Sequence, residues 1–232
     1  MAAPSQTRPR TIRGMDAAQR RAQRREQLLA AAFELFARDG YANTSIEQIC
    51  QTAYVGNKAF YDLFDSKEDC YIALLRQVSE QIEAQVAQAM RESSDADEDE
   101  TVRRLLSAFA HTLVDDPRVA MVTFGVAAGI SPAVEAQRRE NRRWAASFIE
   151  AFWRRNQSGD EQENGTDYHA LAVATIGGLF ETVTDWMHET DPPQARTFDD
   201  LLRDLTTFMS VVEAGIRVGD SIRLRSSRPS HR

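Results

Sequence analysis

Lysine is almost absent from this chain of 232 residues, whose 28 basic side chains include only two lysines, Lys58 and Lys67. Long apolar runs are absent as well. The longest, from Val119 to Ile130, is 12 residues and contains Thr123, whereas a membrane-spanning helix needs about 18 or more. The basic N-terminus lacks the apolar core of a signal peptide. The sequence therefore predicts a cytoplasmic protein without a membrane segment.

Cysteine and histidine are scarce, with two and four residues. Cys50 and Cys70 fall inside helical patterns and resemble small apolar side chains in a reducing compartment, not a disulfide or metal framework. The histidines are dispersed, and the common phosphate-loop, hydrolase and metalloprotease motifs do not occur. We therefore predict a protein that is not an enzyme and that uses no cofactor and no metal ion.

No stretch alternates apolar and polar residues over the length of a strand, whereas apolar residues recur at helical spacing. This pattern predicts an all-α protein of about nine helices.

Charge is distributed unevenly along the chain. Residues 1–60 hold nine Lys/Arg against five Asp/Glu, and residues 61–232 hold 19 against 30, within a net charge of −7. A basic head on an acidic body suits a protein whose head docks on phosphates.

Both lysines lie in a segment, residues 44–67, that reads as two short helices joined by a tight turn. A first helix precedes it and ends at Gly40, a typical C-terminal cap. Thr44 and Glu47 form a predicted capping box at the start of the second helix. The turn covers residues 52–55, and Gly56 caps a third helix. Three helices in this order predict a helix-turn-helix that binds duplex DNA.

The start of the second helix of a helix-turn-helix enters the major groove. Here that start is Asn57, Lys58 and Ala59. Lys58 is suited to guanine O6 and N7, Asn57 to adenine or a phosphate, and Ala59 to a thymine methyl. The hydroxyls of Thr44 and Ser45 either donate to phosphate or only cap the preceding helix, and the two roles are compatible.

Many positions in this region match a known family in order. They are Leu28-Leu-Ala-Ala-Ala-Phe-Glu-Leu-Phe36, Gly40-Tyr41, Thr44-Ser-Ile-x-x-Ile49, Ala53-x-Val55 and Phe60-Tyr61-x-x-Phe64-x-Ser66-Lys67-Glu68. Across residues 25–72 the chain resembles the N-terminal domain of TetR-type transcriptional regulators. The resemblance implies an N-terminal helix-turn-helix domain followed by a helical domain that binds a small ligand and forms a homodimer. It also implies repression rather than activation.

The resemblance places two further residues, Tyr61 and Lys67, where the family contacts the phosphate backbone. The chain departs from the family at Tyr54, where a glycine is usual, and at Gly56, where a serine is common. If the backbone at Tyr54 needs a positive φ, the tyrosine costs about 1 kcal/mol or forces a different turn. Glycine caps a helix nearly as well as serine, so neither departure removes DNA binding.

The predicted organisation is a flexible basic arm over 1–22, a DNA-binding domain over 23–66, a ligand-binding and dimerisation domain over 67–216, and a basic tail over 217–232. A dimer on an inverted repeat is expected, because one helix-turn-helix reads too few base pairs. The alternative is a helical ligand-binding or interaction protein without operator control.

Aromatic and polar-tipped side chains in the body are candidates for contact with an apolar small-molecule ligand. They are His111, Phe124, Trp144, Phe148, Tyr168 and Trp186. Most aromatic residues of the body are ordinary core, and no cluster of buried charge is recognisable, which favours a mostly uncharged ligand. The last two long helices carry more apolar surface than one chain can cover, which predicts a dimer interface. Its candidates are Gly177, Gly178, Phe208, Met209 and Val212.

Overall fold

The computed structural model describes residues 16–124, 130–156, 168–188 and 196–227. These residues contain nine α-helices and no strand, which confirms the all-α prediction. The helices are α1 (Ala17–Asn43), α2 (Ile46–Thr52), α3 (Asn57–Tyr61), α4 (Lys67–Glu92), α5 (Glu98–Val114), α6 (Pro117–Phe124), α7 (Pro132–Asn156), α8 (His169–His188) and α9 (Phe198–Ser227).

Helix α1 begins earlier than the sequence predicts. Asp16 caps it and forms a capping box with Gln19, so residues 17–22 are helical and not part of a flexible arm. The backbone leaves the helical conformation at Gly40, where φ is 79° and ψ is 162°, a positive φ that favours glycine. Residues 1–15, the rest of the predicted arm, lie outside the described residues.

The start of α2 differs from the prediction by one residue. Ser45, not Thr44, is the N-cap, and Gln48, not Glu47, completes the capping box. Both residue pairs satisfy the capping pattern, so the choice depends on tertiary contacts. Thr44 is buried, and its hydroxyl donates to the carbonyls of Leu35 and Gly40. The Thr44 side chain therefore points away from the start of α2 and does not cap it.

Helix α5 begins at Glu98 behind the N-cap Asp97, and its acidic first turn stabilises the positive end of the helix. One further boundary differs from the predicted ones. Helix α9 continues to Ser227, so most of the predicted tail over 217–232 is helical. Residues 228–232 lie outside the described part of the chain.

The chain divides into two compact units, and the boundary falls inside α4. The first unit contains residues up to 77 together with 121–135, and the second contains the remaining segments. The core of the first unit is built from α1 to α4 and is completed by Val122 and Val134. In the second unit, α8 and α9 pack on each other and α5 packs on both.

Candidate DNA interface

Helices α2 and α3 are joined by a turn whose central residue is Tyr54. The Tyr54 N–H donates to the carbonyl of Gln51 and the Val55 N–H to that of Cys50, the pair of bonds of a Schellman motif. Tyr54 occupies the left-handed position of that motif with a φ of 54°. Glycine is the usual residue there, and a left-handed conformation costs a tyrosine about 1–2 kcal/mol. The chain thus keeps the turn despite the missing glycine.

Helix α3 is anchored from one side and open on the other. Phe60 is fully buried and packs against Phe64, with the ring centroids 5.4 Å apart. Gly56 is the N-cap of α3, as predicted, and it lets the helix start without a side chain in front of it. Asn57 and Lys58 are exposed and Ala59 is half-buried. The first turn of α3 therefore presents its polar side chains to solvent.

The residues proposed to contact phosphate fall into two groups. Ser45 and Tyr61 are exposed, although the Ser45 hydroxyl also accepts from the N–H of Gln48. Thr44 is buried with its hydroxyl turned inward, a placement that favours a structural role over a direct contact with DNA.

Lys67 is engaged within the first unit. Its Nζ donates to the carbonyl of Tyr41 at 2.8 Å and to that of Thr44 at 2.7 Å, and it lies 4.3 Å from the centroid of the Tyr41 ring. Partial burial lowers the pKa of this ammonium. These contacts tie the start of α4 to the end of α1 and to Thr44, the C-cap of α1. An ammonium has three donors, so one donor is left for a phosphate.

The first three turns of α1 carry four arginines on one side. Successive residues of an α-helix are about 100° apart, which places Arg20, Arg21, Arg24 and Arg25 within one arc and Glu26 on the opposite side. Arg25 lies over the ring of Phe64, 5.7 Å from its centroid, next to the junction of α3 and α4. This basic face borders the helix-turn-helix.

The six residues predicted to contact a ligand are divided between the two units. Phe124 belongs to the first unit and the others to the second. Trp144 stacks on Phe148 at 6.1 Å, and His111 stacks on Phe198 at 4.0 Å.

Tyr168 and Trp186 are held at separate places in the second unit. Tyr168 is buried against Trp153, whose ring centroid is 6.1 Å away. The indole N–H of Trp186 donates to the carbonyl of Thr197. Trp144 and Phe148 are thus two of the six candidates that the fold brings together as a pair.

Three polar side chains of the second unit, absent from the sequence-based candidates, are buried without a hydrogen bond of normal geometry. They are the Trp153 indole N–H, the Thr175 hydroxyl and Oε1 of Glu213. Burial raises the pKa of Glu213, the negative charges of Glu98 and Asp99 raise it further, and Arg217 and the nearby Trp153 N–H lower it. Helical spacing alone gives no signal for such groups, because burial of a polar position depends on the neighbouring helices.

The dimer candidates lie on different sides of α8 and α9. A Cβ on Gly178 would come within 2.7 Å of the Phe208 ring, so this glycine admits Phe208 of the same chain. Met209 is buried and Val212 is half-buried. Gly177, in contrast, has open space around its Cα. Val211 and Val218 of α9 are exposed by 67% and 60%, and helical spacing places them on one outward face.

The described residues show neither a helix long and apolar enough to cross a bilayer nor a cluster of three or more side chains able to hold a metal ion. The two cysteines are free and buried, and burial raises the pKa of the Cys70 thiol to about 12.

Comparison with known proteins agrees with this geometry. Residues 28–74 match the family described as "Bacterial regulatory proteins, tetR family". The chain is 23% identical over 161 residues to the fatty acid metabolism regulator protein of Bacillus subtilis. This match covers 69% of this chain and 82% of that protein. It is 36% identical over 75 residues to the HTH-type transcriptional activator FasR of Mycolicibacterium smegmatis, covering 32% of this chain and 34% of FasR.

The fold also matches the crystal structure of FadR from Bacillus subtilis in complex with stearoyl-CoA. The TM-score is 0.61 at 21% identity, over 82% of this chain and 98% of that one. Residues 28–74, which match the family, contain α2, the turn and α3. The similarity to the FadR structure also extends through the second unit. This chain is a DNA-binding transcriptional regulator of the TetR family.

Proposed function

We propose that the protein acts as a homodimeric repressor that binds an inverted-repeat operator through α3 and releases it when an acyl-chain ligand binds. The observation that carries the DNA part is the first turn of α3, which exposes Asn57 and Lys58 while Phe60 fixes the helix from behind. Asn57 and Lys58 read base edges in the major groove. Ala59 packs on a thymine methyl beside them.

Contacts with phosphate set the register of α3 on the duplex. Ser45 and Tyr61 donate hydroxyls, and the third donor of Lys67 reaches the same strand. The arginine face of α1 supplies positive charge beside these groups, which raises affinity for every sequence and makes binding depend on salt. Acidic residues dominate the rest of the chain, so the duplex is drawn to this end of the protein.

The operator assignment is tested by selecting duplexes from a random library with the wild-type protein. We expect an inverted repeat, because a two-fold dimer presents two copies of α3. Lys58→Ala and Asn57→Ala should change which sequences are selected and cost about 1–3 kcal/mol at one base position. A protein that enriches no sequence would favour the alternative of a helical ligand-binding protein without operator control.

The dimer is proposed to form through the outward faces of α8 and α9. Val211, Val218 and the open surface at Gly177 supply apolar and small residues there. Two helices from each chain would make a four-helix interface. Gly178, Phe208 and Met209 support this surface from inside the chain, and half-buried Val212 lies at its border.

The ligand proposal rests on the relatives and on an unsatisfied donor in the second unit. FadR of Bacillus subtilis was solved with stearoyl-CoA. In this chain the Thr175 hydroxyl is buried without a hydrogen bond, and buried donors rarely stay so. The carbonyl of an acyl group is an acceptor that this hydroxyl can bind, and the acyl chain suits a helical core.

Coupling between ligand and operator is proposed to run through α4, which belongs to both units, and through α6. A preference of about 1–3 kcal/mol for the non-binding state shifts operator affinity about 5–150-fold. Tryptophan fluorescence and operator binding should be measured in parallel with stearoyl-CoA, stearic acid and coenzyme A. Saturation by stearoyl-CoA without loss of operator affinity would contradict the coupling, and tighter binding would identify an activator-type response.

A further inference from the structure

Tyr54 has a left-handed backbone conformation that is sterically unfavourable for a residue with a Cβ atom. It is the single non-glycine residue with a positive φ in the described segments, at 54°. In the left-handed region a Cβ crowds the following carbonyl oxygen, and this is why the same position of a Schellman motif usually holds glycine. Glycine is therefore the residue that the turn itself favours.

The tyrosine side chain obtains no packing that would offset this conformational cost. It is 97% exposed, the most exposed of the large apolar and aromatic side chains of the described residues. Its neighbours Ala53 and Val55 both pack on the core of the first unit, so the turn is well anchored without it. A residue that strains the fold and contributes no packing points to a role outside the fold.

The position of Tyr54 indicates where that role lies. Three peptide units separate it from Asn57 at the start of α3, so the two Cα atoms are at most about 10 Å apart. The major groove is about 12 Å wide and is bordered by phosphates, which places the groove edge within reach of residues next to a base-reading helix start. Tyrosine hydroxyls are regular donors to phosphate oxygens.

We propose that the Tyr54 hydroxyl donates a hydrogen bond to a DNA phosphate at the edge of the groove that α3 enters. The assignment rests on the proposed entry of α3 into that groove. Tyr54 precedes α3 and Tyr61, which is 58% exposed, ends it. A tyrosine hydroxyl thus contacts the DNA on each side of α3, and the turn that orients α3 is itself bound to the duplex.

Two variants separate this role from the effect of backbone strain. Tyr54→Gly removes both the hydroxyl and the strain, and Tyr54→Phe removes the hydroxyl while it keeps the ring and the Cβ. Both are compared with the wild type on a duplex that the wild-type protein selects from a random library and on a duplex of scrambled sequence. Thermal unfolding is recorded for each protein.

We expect Tyr54→Gly to raise the unfolding temperature by about 2–4 °C and yet to bind DNA more weakly. The loss should be about three- to tenfold for each half-site and equal on both duplexes, since a phosphate contact carries no sequence information. Tyr54→Phe should lose the same affinity without a change in unfolding temperature. The slope of affinity against salt should stay unchanged, because a neutral phenol releases no counterion.

Full affinity of Tyr54→Phe for the selected duplex would overturn the phosphate contact. Equal or tighter binding by Tyr54→Gly would overturn it as well, because the tyrosine would then only strain the turn. A wild-type protein that enriches no sequence overturns groove reading by α3, and this assignment with it. If the wild type does enrich a sequence and Tyr54→Phe binds it with full affinity, the tyrosine contact is overturned while groove reading by α3 stands.

Discussion

The hydroxyl of Tyr71 in α4 donates a buried 2.6 Å hydrogen bond to the backbone carbonyl of Val122 in α6. The Tyr71 ring also makes edge contacts with Phe36 and Tyr41, at centroid distances of 5.2 and 5.3 Å. Residues 51 positions apart are thus joined inside the first unit. A change in α6 has a direct route to the helix that follows the DNA-binding elements.

We expect Tyr71→Phe to keep the aromatic packing and to lose this hydrogen bond. The free energy of unfolding in urea should fall by about 0.5–1.5 kcal/mol. If α6 carries the ligand signal, stearoyl-CoA should change operator affinity less in this variant than in the wild type. Unchanged stability together with an unchanged ligand response would show that the bond serves neither purpose.

Lys67→Met should destabilise the first unit as well as weaken DNA binding. The variant leaves the carbonyls of Tyr41 and Thr44 without the Nζ donor, at a cost of about 1–3 kcal/mol. Binding to selected and scrambled duplexes should weaken equally, because Lys67 holds the protein backbone in place and contacts a DNA phosphate, and neither contact depends on base sequence. Lys58→Met is the matched control, and it should leave the unfolding temperature unchanged while it alters sequence preference. An equally stable Lys67→Met protein would contradict the bracing role.

The sequence predicts the helical elements of the DNA-binding unit well because their signals are local. Gly40 interrupts α1 with a positive φ that favours glycine, and Gly56 is the N-cap of α3. The cap of α2 illustrates the limit, since Thr44 and Ser45 both fit a capping pattern and long-range bonds from the Thr44 hydroxyl to α1 decide between them.

The candidate sites in the body are harder to predict because they depend on which face of a helix is covered. Phe208 and Met209 share an apolar stripe with Val212, yet Gly178 turns Phe208 inward. Glu213 has an ionisable side chain and is nonetheless only 7% exposed. Such outcomes depend on helices distant in sequence, for which periodicity holds no information.

The buried Glu213 should make stability depend on pH. Its pKa is raised above the ordinary value of 4.5, chiefly by burial, so the folded state holds this proton at pH values where the unfolded chain has released it. The free energy of unfolding should therefore fall as pH rises from about 4.5 through the raised pKa. Glu213→Gln should remove that fall and be the more stable protein at neutral pH, measured by urea unfolding between about pH 4 and pH 8. Parallel pH profiles for both proteins would contradict this.

The basic face of α1 should act through electrostatics without reading sequence. Neutralising Arg21 and Arg24 to glutamine should weaken binding to selected and scrambled duplexes alike. The log–log slope of affinity against salt should become shallower by about 0.9 for each phosphate that the variant no longer neutralises. Arg142→Gln with Arg143→Gln in α7 makes the same change in net charge on exposed residues of the second unit. An identical effect of both pairs would show that only the total charge matters.

The dimer surface is best tested on residues that point outward. Val211→Glu places a charge on a side chain that is 67% exposed in the single chain, so the fold should tolerate it while a four-helix interface should not. We expect monomers in sedimentation experiments, unchanged helix content and loss of operator binding at concentrations where the wild type is dimeric. Met209→Glu is a control for the interior, because that residue is buried and its substitution should instead unfold the second unit. A Val211→Glu protein that stays dimeric would refute the proposed face.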